Sequence, residues 1–386
     1  MFLDLLRGLA AILVLADHWR NYFFVNFHQI GLHRLLFAIP YILTAAGHEA
    51  VVIFFVLSGF LIGGTIRRSL ELGQWSWASY LTNRLVRLWL VLLPGLLLTL
   101  LWDKIGVALE VSRPVYLDPA NHIRGSIART DAAAVFVGNL LFVQEVWVPA
   151  FGSNGPLWSL ANEFWYYALF PLGLLAILPV SSIRTRIFTS ALFTLVCVWL
   201  RTTLLPLFPI WLLGAALLNL PRPHLSNSLR WLAAAAYVPL VFLCTRLHAT
   251  LGIVSDYILA GGTAALIWTL LSASQPAPAA AGHVRFSRGL ARFSYSLYVV
   301  HFPFLTLIAA LLVGDQRWQP TPAYIAAGLG ILAVTLAYAY GIASLTEFHT
   351  DHVRRWVERT LGIATAARTG DRLWAARPDV TQRGNT

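Results

Sequence analysis

Apolar residues along this chain do not alternate with polar ones at the period of a surface strand or a soluble helix. They run together in long blocks separated by short polar or arginine-bearing breaks. A block of roughly 20 apolar residues is long enough to cross a bilayer as a helix. Backbone in lipid must satisfy its own hydrogen bonds, so each block is predicted to be helical. Ten spans are expected, at about 3–22, 47–66, 84–102, 158–178, 186–204, 206–220, 229–247, 252–272, 291–313 and 322–345. The sixth is short, and Pro206 and Pro209 at its start predict a broken pair. Segment 134–148 is apolar but short and carries Asn139, Gln144 and Glu145, so it is expected to lie against the bundle rather than cross the membrane.

Composition agrees with the pattern. Of 386 residues, 58% are hydrophobic and 12% charged, whereas a soluble domain carries about 25% charged residues. The fold class is therefore all-α, a polytopic transmembrane helix bundle. It is expected to occupy 1–350, with a basic, partly disordered tail at 351–386 that loses order after about residue 366. Segment 273–286, rich in Ala, Pro and Ser, reads as a flexible linker. The first block lacks a basic leader and a small-residue cleavage site, so it is expected to be retained as a span.

The net charge of +11 comes almost wholly from arginine. Lipid headgroups and topology account for these cations better than nucleic acid does, because they sit between spans. With the N-terminus inside, the inner loops gather Arg67, Arg68, Arg84, Arg87, Arg184, Arg186, Arg222, Arg230, Arg285, Arg288 and Arg292. The short outer loops hold Arg20, Arg34, Arg201, Arg246 and Arg317. Both termini are thus expected to be cytoplasmic. Cys197 and Cys244 lie inside apolar blocks, with no zinc-type spacing and no disulfide framework. His349 and His352 lack neighbouring ligands, so no metal site is expected.

Ionisable residues inside spans cost about 2.5–3.5 kcal/mol each at mid-membrane, which makes them the first candidates for chemistry. Arg7 and His18 share the first span. Eleven residues make three turns plus about 20°, so both project from one face, roughly 16 Å apart along the axis. Glu163 lies about two turns into the fourth span, at a depth similar to that of His18. A carboxylate there would fix the tautomer of an imidazole that takes a proton from an alcohol. Asp17 and Glu49 are rival partners for His18.

Ser58-Gly59 is a small step in a bulky helix, where another helix or a thin acyl-pantetheine chain can approach. Arg84 and Arg87, at i and i+3, stand with Arg67 and Arg68 at one inner mouth. There they are expected to clamp the phosphates of a nucleotide-like ligand. Ser294, Tyr298 and His301 share a face of the ninth span, and Tyr298 and His301 are candidates for lining an acyl path.

Taken in order, these pieces resemble the acyltransferase 3 family. The matching segments are Leu3-Asp4-Leu5-Leu6-Arg7-Gly8-Leu9-Ala10-Ala11 with His18, Phe54-Phe55-Val56-Leu57-Ser58-Gly59-Phe60-Leu61, Arg84-x-x-Arg87, Leu157-Trp158-Ser159-Leu160 with Glu163, and Tyr295-Ser296-Leu297-Tyr298 with His301. The sequence departs from the family pattern in a proline delayed to Pro94 and in His48-Glu49, which stands where apolar or small residues are more usual. The resemblance implies an O-acyltransferase of the bacterial inner membrane that moves an acyl group, most often acetyl, from cytoplasmic acyl-CoA. The acceptor it implies is a hydroxyl of an extracytoplasmic glycan, a lipid-linked sugar or a small molecule, and Arg7 and His18 match the residues regarded as essential. Acyl-CoA is then a donor substrate rather than a permanently bound cofactor, the remaining partners are membrane lipids and the carbohydrate acceptor, and no nucleic acid is involved. The esterase-like domain that some members carry is expected to be absent. The competing class is a proton-coupled transporter or a glycan flippase, although no two related halves are visible in the sequence.

Overall fold

The computed structural model describes residues 2–31, 34–109, 130–178, 182–271, 281–313 and 316–363. The expected loss of order after residue 366, and residues 273–280 of the expected linker, lie outside these. Among the described residues there is no strand, and the chain is a bundle of helices. They are α1 (Phe2–Phe23), α2 (Ala38–Leu43), α3 (Gly47–Glu71), α4 (Trp77–Ala108), α5 (Ala133–Leu140), α6 (Trp158–Ile177) and α7 (Ile183–Leu204). There follow α8 (Phe208–Ala216), α9 (Asn227–Leu251), α10 (Ile253–Leu270), α11 (Ala281–Arg292), α12 (Ser294–Leu312), α13 (Pro322–Leu345) and α14 (Thr350–Thr360).

Eight helical segments among the described residues are long and apolar enough to cross a membrane. The other two expected spans are α1 and the segment around α8. The 22-residue α1 is diluted by Asp4, Arg7, Asp17 and Arg20. The proline-marked segment is short, with α8 flanked by 3₁₀ turns at Leu205–Leu207 and Leu217–Asn219.

Burial separates a central layer from a lipid-facing one. In the most apolar window of α3 and of α12, 72% of residues are buried, against 11% in α7 and 17% in α9 and in α13. Large side chains such as Val198, Leu232 and Leu329 point outward. In water such a surface would aggregate, whereas in a bilayer it is matched to its solvent. The central helix α1 packs on both α3 and α12, α4 packs on α12, and α8 packs on α3.

The α3–α8 crossing depends on two glycines. A Cβ on Gly59 would overlap the carbonyl oxygen of Trp211, and one on Gly214 would overlap that of Val56. Small residues let helices in lipid approach to backbone contact. This corrects the placing of Gly59 on an acyl path, because its missing side chain is filled by α8.

Segment 134–148 does not span. Helix α5 has eight residues, and the chain then turns back through Phe142 and Glu145, both at positive φ (58° and 66°). The polar residues that marked the segment hold this turn. Asn139 donates to the carbonyls of Val135 (2.9 Å) and Pro149 (3.0 Å) and accepts from Phe151 N (3.2 Å), while Gln144 donates to Leu157 O (2.9 Å). The expected linker 273–286 is corrected at its end, since residues 281–286 belong to α11. Helix α14, within the expected tail, packs on α4.

Candidate active site

Two cavities lie between the central helices, and they share Val51 and Tyr298. The narrow one, about 110 Å³, is lined by Arg7, Phe54, Ser58, Arg87, Glu163 and Tyr167. The wide one, about 380 Å³, is lined by Asp17, His18, His48, Trp158 and Asn162. Arg7 and His18 lie on one helix about 16 Å apart along its axis, and each faces one of these spaces.

The Arg7 guanidinium is held by groups far away in the chain. Its Nε donates to Ser294 Oγ (2.9 Å), its Nη2 donates to Ala291 O (3.0 Å), and Nη2 stands 3.6 Å from Glu347 Oε1. The other carboxylate oxygen of Glu347 accepts from Ser296 N (2.9 Å) and Ser296 Oγ (2.8 Å). A cation at this depth needs such pairing to remain charged. Sequence reasoning gave Ser294 a place on the right face but did not find Glu347. Glu347 follows α13 by two residues and carries no local signal.

Glu163, expected to support His18, has different partners. Its Oε1 accepts from Ser58 Oγ (3.1 Å) and from the hydroxyl of Tyr167. Ser58 Oγ in turn accepts from Trp211 Nε1 (3.2 Å). Glu163 thus lines the narrow cavity with Arg7 and Arg87, while His18 lines the wide one.

The aromatic neighbours of His18 come from α12. Its ring centroid is 5.3 Å from that of His301 and 4.8 Å from that of Phe302. His301 is fully buried. Its Nδ1 lies 2.8 Å from Leu297 O and 3.0 Å from Tyr298 O. Carbonyls only accept, so Nδ1 carries the proton and Nε2 holds a lone pair. That Nε2 is buried and has no hydrogen-bond partner among the described residues.

One helical turn away, the hydroxyl of Tyr298 donates to Pro156 O (2.9 Å) and lies 2.5 Å from Ser159 Oγ. These bonds fix the ring between the two cavities. His301 itself is named in the lining of neither cavity, and its place beside His18 is what relates it to the wide one.

The four arginines expected at one mouth are divided. Arg87 lines the narrow cavity. Arg84 is buried, with its guanidinium carbon 5.8 Å from the Tyr80 ring and 5.9 Å from the Tyr167 ring, a cation–π setting. Arg67 turns to the surface, where it donates to Glu71 (2.7 Å), Leu218 O (2.7 Å) and Asn219 Oδ1 (3.0 Å). Arg68 has its Nε buried and without a partner among the described residues. Arg67 and Arg68 are absent from the lining of both cavities.

Fold and site together define a polytopic membrane protein whose charged and hydrogen-bonding groups line two internal cavities with a shared wall. A family model described as an acyltransferase domain matches residues 2–340. The chain therefore belongs to the acyltransferase 3 family of membrane acyltransferases. The match takes in every residue named above as lining either cavity, whereas Glu347 lies beyond it. No curated protein and no solved structure matches the chain.

Proposed function

We propose that this protein is an O-acyltransferase of the bacterial inner membrane. It moves an acyl group, acetyl in the first instance, from cytoplasmic acyl-CoA to a hydroxyl of an extracytoplasmic or lipid-linked carbohydrate. The observation that carries this reading is the pair of cavities meeting at Tyr298 and Val51, with Arg7, Arg87 and Glu163 in one and His18 in the other. Two spaces with a common wall suit a reaction in which donor and acceptor arrive from opposite sides. The arginine distribution supports an orientation with both termini cytoplasmic. In that orientation we assign the narrow cavity to the donor.

In this reading the acyl-pantetheine arm enters past Arg87 and Arg7. The thioester carbonyl comes to rest beside Tyr298, and the acceptor hydroxyl lies in the wide cavity against His18. An unionised hydroxyl is a weak nucleophile, and a base within hydrogen-bond reach contributes about 10²–10⁴-fold. His18 takes the proton as the hydroxyl oxygen attacks the carbonyl carbon. The C–S bond then breaks, the ester forms, and the imidazolium returns its proton to the departing thiolate sulfur.

His301 supports the charged intermediate as a positioning residue. Its Nε2 lone pair, fixed by the Leu297 bond, is an acceptor for an N–H of the His18 imidazolium. Arg7, about 16 Å from His18 along α1, holds the donor arm in the narrow cavity by its charge. Ser58 and Tyr167 hold Glu163 beside the arginines, where its charge balances theirs. The experiment is acyl transfer by purified protein in liposomes, with labelled acetyl-CoA and membrane glycans as acceptor. Label appearing in glycan supports the reading, and transport without acyl-CoA dependence overturns it.

A further inference from the structure

Three side chains at the edge of the wide cavity, which His48 lines, converge at one end of the bundle. His48 begins α3, His248 ends α9 and Asp256 begins α10. Gly252, at φ +52°, makes the turn that folds α10 back on α9 and brings His248 beside Asp256. His48 Nε2 lies 2.9 Å from Asp256 Oδ1, and His248 Nδ1 lies 3.2 Å from the same oxygen. The three ligand atoms all lie within 4.8 Å of one another.

We infer that His48, His248 and Asp256 form a binding site for a divalent transition-metal cation such as Zn²⁺. With metal–nitrogen and metal–oxygen bonds of about 2.0–2.2 Å, ligand atoms around a tetrahedral zinc stand roughly 3.3 Å apart. The two separations to Asp256, 2.9 and 3.2 Å, are close to that spacing, and rotation of the two imidazoles brings the third, within 4.8 Å, to it. Two imidazoles and one carboxylate are a donor set suited to zinc and its neighbours.

The charge environment points the same way. Asp256 is 4% exposed, and among the described residues its ion pairs are with the two histidines. Glu49, adjacent to His48, is also buried. Two buried carboxylates, Asp256 paired with the two imidazoles and Glu49 hydrogen-bonded by Thr245, favour a dication. The His48 ring is further held by stacking on Trp158 at 6.4 Å and 18°. A bound ion ties together the ends of α3, α9 and α10 and fixes His48 as a wall of the wide cavity.

Metal binding requires the lone pairs of His48 Nε2 and His248 Nδ1. The Asp256 carboxylate only accepts, so His48 Nε2 carries a proton in the metal-free protein; Ser255 Oγ, beside His248 Nδ1 (3.1 Å), gives its own proton to Gly252 O (2.7 Å), so His248 Nδ1 carries one too. On binding, that proton moves to the other ring nitrogen or leaves to water. The site stands on its own ligand geometry and does not depend on the acyltransferase reading.

The test uses full-length, tag-free protein in detergent, stripped with a chelator and titrated with Zn²⁺ against a chromophoric competitor. One zinc per chain is expected. H48Q and H248Q are each expected to weaken it by roughly 100-fold, while the tail variant H349Q leaves it unchanged. Co²⁺ in place of Zn²⁺ should give visible d–d absorption that H248Q abolishes. Variants are compared only as monodisperse protein, and H48Q and H248Q suffice if D256N does not fold. Absence of stoichiometric zinc, or affinity unchanged in both histidine variants, overturns the site and leaves a proton-bridged cluster.

Discussion

His301 Nε2, buried and without a hydrogen-bond partner among the described residues, belongs to a ring 5.3 Å from that of His18. Leaving a buried acceptor unpaired costs about 1–3 kcal/mol. An N–H of His18 turned toward it would satisfy this acceptor, and in the proposed mechanism that bond strengthens when His18 becomes a cation. A hydrogen bond to a charged group is worth about 1.5–3 kcal/mol, so H301F, which removes the acceptor, should lower kcat roughly 10- to 100-fold. Thermal stability and acyl-CoA affinity should stay near wild type. Steady-state kinetics with a melting curve tests this, and equal kcat would make His301 a packing residue.

The two arginines of α4 should separate. Arg87 lines the narrow cavity, whereas Arg84 is packed between Tyr80 and Tyr167. R87A should weaken acyl-CoA binding by about 1.5–3 kcal/mol, the scale of a charge-assisted hydrogen bond, with folding intact. R84A should act mainly on stability. Calorimetric titration of acyl-CoA into each variant, with melting temperatures, distinguishes the two. The reverse assignment would move the donor site away from Arg87.

That division shows where sequence reading ends. Positions i and i+3 differ by about 60° around a helix, enough to aim one arginine into a cavity and bury the other between rings. Length and apolar run fix the existence of most spans. The eleven-residue spacing predicts one face for Arg7 and His18, and they line two different cavities, the narrow and the wide. Depth inferred from the span limits suggested Glu163 as the partner of His18. Depth says nothing of azimuth, and the azimuth of α6 turns Glu163 toward Ser58 and Tyr167. Contacts such as Arg7 with Glu347, or His48 with Asp256, join residues hundreds of positions apart. No local pattern announces them.

The close approach of α3 and α8 should make Gly59 intolerant of any side chain. G59A places a Cβ against the Trp211 carbonyl, which is backbone and cannot rotate away. Overpacking of this kind costs about 1–3 kcal/mol, and more when backbone must move. The melting temperature in detergent should drop and the monodisperse yield should fall. An unchanged melting temperature would show that the helices are further apart than described.

The orientation is open to direct labelling. Single cysteines placed after Thr386 and near Asp118, in a background lacking Cys197 and Cys244, should react from opposite sides of the membrane. Protection of the first and labelling of the second by an impermeant maleimide in intact cells is the expected result. Equal access from one side would reverse or break the proposed topology.

The central claim is that His18 takes the proton from the acceptor hydroxyl. H18Q keeps much of the side-chain volume and some hydrogen bonding but has no basic nitrogen. The decisive measurement is acyl transfer by purified H18Q in liposomes, alongside acyl-CoA affinity in the same preparation. Transfer should fall by about 10²–10⁴-fold, with affinity within a few-fold of wild type. Transfer at the wild-type rate would make His18 structural and contradict the mechanism.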